Sequence, residues 1–255
     1  MHARFYAPNL VSGESAVELP AEEAEHLGRV LRLRAGAEVR LFDGRGREFD
    51  GQVTLVERGR VVVAVGRELP MSRTEPPFPM VLAQALLKGD AMDQVVRDAV
   101  MLGVSRIITM ETDRSEMPAR RVQASGRVAR WQRIAVASVK QCGRSVVPEV
   151  GEPCRLADVL RSDAALRRFI LAEPALALDV PPAVARESVA AGALLIVGPE
   201  GGWTPEEVAM SLAAGCQPLT LGPRTLRADA AGIVGLTALQ CLFGDMTNAA
   251  GRRPL

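Results

Sequence analysis

Residues 193–207 read ALLIVGPEGGWTPEE, in which an apolar run passes through a glycine-rich turn into the start of a helix. The run Ala193–Val197 is typical of a buried strand, and Thr204 followed three residues later by Glu207 is a capping-box signal for a helix. The same alternation of strand and helix patterns continues over residues 78–243. Strands that alternate with helices imply a parallel sheet covered on both faces, so the sequence predicts an α/β fold for this part.

This part of the chain contains several predicted strands and helices in alternation. The predicted strands are Met80–Leu86, Ser105–Met110, Arg168–Leu171, Ala193–Val197 and Pro218–Leu221. The predicted helices are Asp90–Leu102, Val122–Cys142, Leu156–Leu160, Pro205–Ala214 and Ala228–Phe243. Ligands of such sheets bind at the carboxyl ends of the strands, so the loops after residues 171, 197 and 221 are the candidate binding loops.

The first 70 residues have the pattern of a small β-rich unit. The predicted strands are Glu38–Phe42, Glu48–Val56 and Val61–Val65, and a helix is predicted at Ala21–Arg32. Three prolines within Leu69–Pro77 indicate a linker. The predicted domains are therefore residues 1–72 and residues 73–255.

The composition excludes several classes of protein. The chain has 255 residues, 48% hydrophobic content and a net charge of +1, which together favour a packed core over disorder. No apolar run of about 18 residues and no apolar signal core occur, so we expect a cytoplasmic protein without a membrane span. The four cysteines are far apart, and His2 and His26 are the only histidines. A disulfide framework, a metal site and a Ser-His-Asp triad are therefore not expected.

The basic residues are unevenly placed. Arginine accounts for 29 of the 31 basic residues, and residues 114–144 carry eight basic side chains against the single acid Glu116. A codon bias towards arginine is one explanation of the general excess, and recognition of phosphates and base edges by the planar guanidinium is the other. The local cluster predicts a surface that binds phosphate groups, because a merely solvated helix face would mix both signs of charge.

The glycine-rich loop Gly198–Gly202 is the first candidate binding loop. Glu200, Glu206 and Glu207 lie at the start of the following helix, and no lysine is near. A bound phosphate would meet these acids, so a neutral or cationic ligand fits the loop better. The alternative is a tight turn without a ligand.

The loops after the other two strands add few side chains suited to chemistry. In the loop after residue 221, Arg227 is a candidate to contact an anionic substrate, and the alternative is an ion pair with Asp229 at the helix start. The third loop contains Leu171, Ala172 and Glu173. A pocket formed largely by backbone suits an adenine or a ribose better than a phosphate.

Gly198–Gly202 and Leu221–Arg227 resemble the cofactor loops of the SPOUT (trefoil-knot) RNA methyltransferases. The whole chain resembles the RsmE family of 16S rRNA uridine-N3 methyltransferases. The other segments that carry this resemblance are Arg4-Phe5-Tyr6, His26-Leu27, Val30-Leu31-Arg32, Lys88-Gly89-Asp90, Met92-Asp93, Leu102-Gly103-Val104, Arg130-Trp131-Gln132-Arg133-Ile134, Gln141-Cys142-Gly143-Arg144 and Val147-Pro148. The chain departs from the family in its last loop, where Asp229 replaces the usual glutamate and two threonines are missing.

The resemblance implies a fold, a cofactor and partners. It implies a small N-terminal PUA-like β-barrel domain that binds RNA and a C-terminal trefoil-knotted SPOUT domain with a parallel sheet. It also implies S-adenosylmethionine as methyl donor, 16S rRNA within the assembled small ribosomal subunit as substrate, and a homodimer. The apolar helix predicted at Ala228–Phe243 agrees with the last point, because such a helix lies in a core or at a subunit interface.

The resemblance and the strand-end loops together assign candidate residues. Those expected to bind the cofactor are Leu171, Ala172, Glu173, Gly198, Pro199, Glu200, Gly201, Gly202, Leu221, Gly222, Leu226, Arg227 and Ala230. Those expected to bind RNA are Arg4, Arg29, Arg32, Arg121, Arg130 and Arg133. Arg227 and Arg144 are expected to stabilise negative charge on the uracil ring, and Asp229 or Glu200 to act as general base.

Two other functions stay open at this stage. One is a SPOUT methyltransferase that acts on a different RNA. The other is a ribosome assembly factor that binds S-adenosylmethionine and RNA without catalysis.

Overall fold

The computed structural model describes residues 2–11, 13–70, 74–162, 165–176 and 189–246. The chain forms two compact units: Met1–Glu75 together with Val136–Val147, and Pro76–Ala135 together with Pro148–Leu255. The sequence analysis placed Val136–Val147 in the second domain. The predicted boundary between residues 72 and 73 lies outside the described residues.

The first unit is built on a five-stranded sheet. Its strands are β1 (Ala3–Tyr6), β2 (Ala16–Glu18), β3 (Glu38–Phe42), β4 (Glu48–Glu57) and β5 (Arg60–Glu68). They lie in the order β1-β3-β4-β5-β2, in which only the β1–β3 pair is parallel. The three predicted strands are therefore confirmed, and β1 and β2 are additional. Alternate residues of β3 and β5, such as Val39, Leu41, Val61 and Val63, enter its apolar core.

The helix predicted at Ala21–Arg32 is found over Ala21–Val30, but its second half is π-helical. Helix α1 (Ala21–Glu25) continues as a π-helical turn over His26–Val30, where the Leu31 amide donates to the His26 carbonyl. Arg32 then adopts a positive φ of 54°. A left-handed residue of this kind ends a helix, so the chain leaves the helical path at Arg32.

The second unit is built on a parallel sheet, as predicted. Its strands are β6 (Met80–Ala85), β7 (Arg106–Glu111), β8 (Glu149–Val150), β9 (Cys154–Arg155), β10 (Arg167–Leu171), β11 (Ala193–Val197) and β12 (Gln217–Leu219). They lie in the order β12-β10-β11-β6-β7-β8, and β9 also pairs with β7. Every residue of β6 and β11 is buried, because these central strands have both faces covered.

The second unit also supplies most of the helices. They are α2 (Ala91–Met101), α3 (Ala119–Ala124), α4 (Arg127–Cys142), α5 (Leu156–Arg161), α6 (Pro205–Ala213) and α7 (Ala228–Phe243), with a short 3₁₀ turn at Pro174–Leu176. Helix α4 belongs to this unit as far as Ala135, and the rest of it belongs to the first unit. Helix α7 packs against β11, where the absence of a side chain at Gly235 gives room for Leu195. No helix among the described residues is long and apolar enough to span a bilayer.

The long helix predicted at Val122–Cys142 is in fact two helices. The break falls at Ser125 and Gly126, and Gly126 has a φ of +65°. Val122 and Trp131 are both buried on either side of the break, so the apolar spacing continues through it. The apolar spacing alone predicts a single helix. Gly126 interrupts it, because glycine adopts left-handed backbone at little cost.

Candidate functional site

A pocket of about 580 Å³ opens at the carboxyl ends of β10, β11 and β12, within the second unit. This volume lies in the range of sites for small organic ligands. Among the cofactor residues predicted from sequence, those that line the pocket are Leu171, Ala172, Glu173, Gly198, Pro199, Glu200, Gly201, Gly202, Leu221, Leu226 and Arg227. Gly222 and Ala230 are not among the described lining residues. The structure thus brings the three candidate loops to one cavity.

The glycines of the first loop are needed for close approach. A Cβ atom on Gly198 would lie 2.9 Å from the Trp203 ring. Gly202 has a φ of +69°, and a Cβ atom there would lie 2.2 Å from Glu173 Oε1. Any side chain at Gly202 would therefore displace the Glu173 carboxylate from the pocket wall.

Trp203 joins two of the loops and was not singled out from the sequence. Its ring is buried, and its Nε1 donates to the Leu171 carbonyl over 2.9 Å. This bond ties the end of β10 to the loop that follows β11. A buried tryptophan needs such an acceptor for its N–H, which is the signal that could have drawn attention to it.

The start of α6 is fixed in the way that the sequence predicts. Thr204 Oγ1 accepts from the Glu207 amide, Glu207 Oε2 accepts from the Thr204 amide, and Pro205 begins the helix. Glu207 is only 4% exposed, and its Oε1 accepts from the Asp113 amide over 2.9 Å. Because this carboxylate already occupies the helix start, a phosphate cradle there is disfavoured.

Arg227 and Asp229 form an ion pair at the start of α7. Arg227 Nε and Nη2 lie 3.1 and 3.0 Å from the two Asp229 carboxylate oxygens, and Oδ1 also accepts from the Ala230 amide. The ion pair considered as an alternative from the sequence is therefore present. Both side chains nevertheless belong to the pocket lining, and the Arg227 side chain is 85% exposed.

The pocket lining carries three acidic and two basic side chains. The acids are Glu173, Glu200 and Asp229, and the arginines are Arg224 and Arg227. Glu200 is partly engaged, since its Oε1 accepts from the Lys88 amide over 3.0 Å. The rest of the lining is mainly apolar or glycine, together with the Thr225 side chain. Such a lining suits a ligand that combines an uncharged ring system with a separate positively charged group.

Arg144 belongs to the first unit and is not one of the pocket-lining residues. Its side chain is 3% exposed, and its Nε and Nη2 donate to Glu75 Oε2 over 3.0 and 2.8 Å. The other Glu75 oxygen accepts from the Ser145 and Val146 amides. The structure thus gives Arg144 a buried ion pair with Glu75, and its role in catalysis stays a prediction.

The side chains of the predicted RNA-binding arginines differ in solvent exposure. Arg4 is largely buried, pairs with Glu48 and donates to the Arg144 carbonyl, so it is an internal residue of the first unit. Arg29 pairs with Glu25, and Arg32 is exposed without a described ion pair. Within the second unit, Arg121 and Arg133 are exposed.

Arg130 is exposed and bonded to Asp93, whose other oxygen accepts from the Trp131 indole. The hydrogen bond and charge of Asp93 raise the pKa of Arg130. The carboxylate thus offsets the charge that Arg130 would present to RNA.

The structure does not offer metal or disulfide chemistry in the part that it describes. No group of three or more potential metal-ligating side chains occurs among the described residues. Cys142, Cys154, Cys216 and Cys241 are all thiols. Burial raises the pKa of Cys216 to about 11, so this thiol is an inert core group at neutral pH.

Comparison with known proteins identifies the family. Residues 74–240 match the RNA methyltransferase domain family, and residues 19–65 match the RNA methyltransferase PUA domain family. A ribosomal RNA small subunit methyltransferase E from Synechocystis is 30% identical over 232 residues, which cover 90% of this chain and 74% of that protein. The chain belongs to the ribosomal RNA small subunit methyltransferase E family. Its relative of the same name from Mycobacterium bovis is 28% identical over 93% of this chain and 91% of that protein.

Solved structures of this family share the fold. A ribosomal RNA small subunit methyltransferase E from Neisseria gonorrhoeae, bound to S-adenosyl methionine, superposes with a TM-score of 0.85 at 32% identity, covering 97% of this chain and all of that one. A methyltransferase from Legionella pneumophila with bound cofactor SAM gives a TM-score of 0.83 at 32% identity, covering 96% and 100%. The predicted α/β SPOUT-like fold with an N-terminal PUA-like domain is confirmed, and the trefoil knot stays a prediction.

Proposed function

We propose that this protein transfers a methyl group from S-adenosylmethionine to N3 of a uridine in 16S rRNA of the small ribosomal subunit. The observation that carries the proposal is the strand-end pocket, which three loops form in a chain of this methyltransferase family. The names of the relatives support a small-subunit rRNA substrate. The position on the base is taken from the resemblance to the uridine-N3 methyltransferases, and the chemistry below describes what a reaction at that atom requires.

The residues of the pocket fit S-adenosylmethionine. A Cβ atom at Gly198, Gly201 or Gly202 would clash with neighbouring protein atoms, so only glycine lets this loop pack so tightly in the pocket wall. The exposed backbone of these strand-end loops suits the adenine and the ribose. Glu173 and Asp229 provide negative charge for the sulfonium and ammonium groups. We assign Leu171–Glu173, Gly198–Gly202, Leu221 and Leu226 to this binding role.

The chemical step requires control of one proton. When bound, the cofactor supplies an electrophilic methyl group. N3 of uridine retains its proton at neutral pH, so attack needs that proton removed or the resulting charge stabilised. Arg227 donates to a uracil carbonyl oxygen and stabilises the negative charge that develops there, and this effect is larger once RNA excludes water from the pocket.

Asp229 is the general base in this proposal. It lies on the same wall as Arg227, and its carboxylate is held by the Ala230 amide and by Arg227. Glu200 is the other candidate base, and one of its oxygens likewise accepts a hydrogen bond, from the Lys88 amide. In this proposal Arg144 has a structural role, as the partner of Glu75 in an ion pair. Arg227 alone stabilises the negative charge on the uracil ring.

A homodimer formed through α7 is part of the same proposal. The apolar residues Val234 and Leu242 on this helix are 42% and 51% exposed, and Met246 beyond its end is 47% exposed. Water-facing apolar groups of this kind are stabilised when a second copy covers them. We further propose a cytoplasmic location, where assembled small subunits are found, and a trefoil knot in the second unit.

The test uses purified protein, S-adenosylmethionine labelled in its methyl group, and small subunits from cells that lack the activity. The labelled RNA is digested, and its nucleosides are identified by mass spectrometry. Labelled 3-methyluridine at one 16S position is the expected result. Label in a different nucleoside, or in another RNA, would show that the protein methylates a different target. Calorimetric binding of S-adenosylmethionine without transfer to any RNA would instead indicate an inactive assembly factor.

A further inference from the structure

The loop between β7 and α3 lies directly against the glycine-rich loop of the pocket. Arg114 Nη1 donates to the Gly201 carbonyl over 3.2 Å. A Cβ atom on Gly201 would lie 2.9 Å from Arg114 Cβ and 3.0 Å from the Arg114 carbonyl. Gly201 is itself part of the pocket lining. The Arg114 guanidinium is therefore held beside the pocket.

The loop that carries Arg114 is firmly anchored. The Asp113 amide donates to the buried Glu207 carboxylate over 2.9 Å, and the Thr112 amide donates to Ser115 Oγ over 3.1 Å. A cationic side chain on an anchored loop loses less conformational freedom when it binds an anion than one on a mobile loop. Arg114 is thus preorganised beside the pocket.

Arg114 and Arg224 differ from the neighbouring arginines in their partners. Asp229 neutralises Arg227, and Asp93 neutralises Arg130. The one hydrogen bond described for Arg114 goes to a neutral carbonyl, and Arg224 has no ion pair or hydrogen bond with the described residues. Arg224 is exposed and lines the pocket. These two guanidinium groups therefore keep most of their donors for an external anion.

We propose that Arg114 and Arg224 bind backbone phosphates of the RNA beside the nucleotide that enters the pocket. This inference rests on the proposed function. The planar guanidinium matches two phosphate oxygens at once, and phosphate contacts fix the position of a nucleic acid without reading its sequence. Because Arg114 is also bonded to the Gly201 carbonyl, the held phosphate lies next to the loop that binds the cofactor. The two arginines position the RNA and take no part in the proton transfer.

The test measures how RNA affinity depends on salt. Equilibrium binding of unmethylated small subunits is followed from about 50 to 200 mM potassium chloride, because each phosphate contact adds roughly 0.7–0.9 to the slope of log affinity against log salt. Arg114→Gln removes the charge and keeps an amide donor, so we expect the slope to fall by about that amount. Arg114→Lys keeps the charge and should keep the slope. The double variant Arg114→Gln with Arg224→Gln should lose about twice as much.

Arg97→Gln is the matched control. Arg97 is an exposed arginine of α2, and its described bond also goes to a neutral oxygen, that of Gln94. It is not among the pocket-lining residues. This variant should leave the slope unchanged, and calorimetric S-adenosylmethionine affinity should stay within about threefold of wild type in all variants.

An unchanged slope in Arg114→Gln would overturn the inference. The inference would also be overturned if Arg114→Gln lost as much affinity for S-adenosylmethionine as for RNA. That result would mean that Arg114 only stabilises the glycine-rich loop. Failure of the proposed function is a separate result. It would be seen as no methyl transfer by the wild-type protein, whereas the salt slopes decide the phosphate contacts in either case.

Discussion

Two sets of charged side chains, one in each unit, are used in opposite ways. In the first unit, Arg144 and Glu75 form a buried ion pair, and Arg4 and Glu48 form a second one. In the second unit, the pocket presents Arg227, Arg224 and three carboxylates to solvent. Arginine is therefore a structural cation in the first set and a candidate contact for substrate in the second. Local charge density alone does not distinguish these uses, because burial and the partner decide between them.

The largest effect is expected on the free energy of unfolding, when a substitution breaks the buried ion pair between Arg144 and Glu75 in the first unit. Glu75→Ala leaves the Arg144 guanidinium without its carboxylate and removes the acceptor of the Ser145 and Val146 amides. We expect a loss of about 3–5 kcal/mol in the free energy of unfolding, which denaturant titration measures.

Arg227→Ala is the control for that experiment. It removes an exposed partner of an ion pair, so its effect on unfolding should be much smaller. Equal destabilisation by the two variants would contradict the contrast between buried and exposed charge.

The next effect is on catalysis. Arg227→Ala should lower the rate constant for bound substrate on the order of 10²–10³-fold, because one donor to the developing negative charge is lost. Single-turnover methyl transfer at saturating RNA and cofactor measures this rate. Arg227→Lys should recover part of the rate. An unchanged rate in Arg227→Ala would leave only the ion pair with Asp229 as the function of this residue.

A third prediction concerns the glycine-rich loop. Gly202→Ala introduces a side chain where a Cβ atom would lie 2.2 Å from Glu173 Oε1. Displacement of the pocket wall should weaken S-adenosylmethionine binding by roughly 10–100-fold, as calorimetry would measure. Gly215→Ala is the matched control, since Gly215 also has a positive φ, of 81°, but no atom lies within 4 Å of its ideal Cβ position. Similar weakening by both variants would point to general backbone strain.

The sequence predicts some of these elements well and for identifiable reasons. Strand β11 is found over the predicted residues, because a continuous apolar run ends at a glycine. Helix α7 and the capping box of α6 are likewise predicted correctly from local signals. These features depend on residues that are close together in the chain.

Features that depend on distant residues escaped the sequence analysis. Arg144 and Glu75 are 69 residues apart, and no local pattern indicates that they pair. The contact of Arg114 with Gly201 joins residues 87 apart, so only the structure shows that this arginine of the basic cluster lies beside the pocket. The site loops could be predicted because each follows a strand end, whereas their partners could not.

The smallest effect is a dependence of stability on pH in the first unit. Burial acts to raise the pKa of Asp43, but hydrogen bonds from the Arg45 and Arg47 amides and from the Arg47 side chain outweigh it, so the pKa lies below its ordinary value of 3.8. Because the folded pKa is lowered, this stabilisation is present above about pH 4 and is lost as the pH falls towards the folded value. Asp43→Asn should lower stability at pH 7 and flatten the acid side of the profile. An unchanged acid profile would show that Asp43 is not the group responsible.

We propose above that the protein methylates a uridine of the small ribosomal subunit at its strand-end pocket. Mass spectrometry of nucleosides from small subunits, after incubation with the protein and methyl-labelled S-adenosylmethionine, tests it most directly. We expect labelled 3-methyluridine at a single 16S position with the wild-type protein, and strongly reduced label with Gly202→Ala at low cofactor concentration. Label in a different nucleoside, or equal label with the two proteins under those conditions, would contradict it.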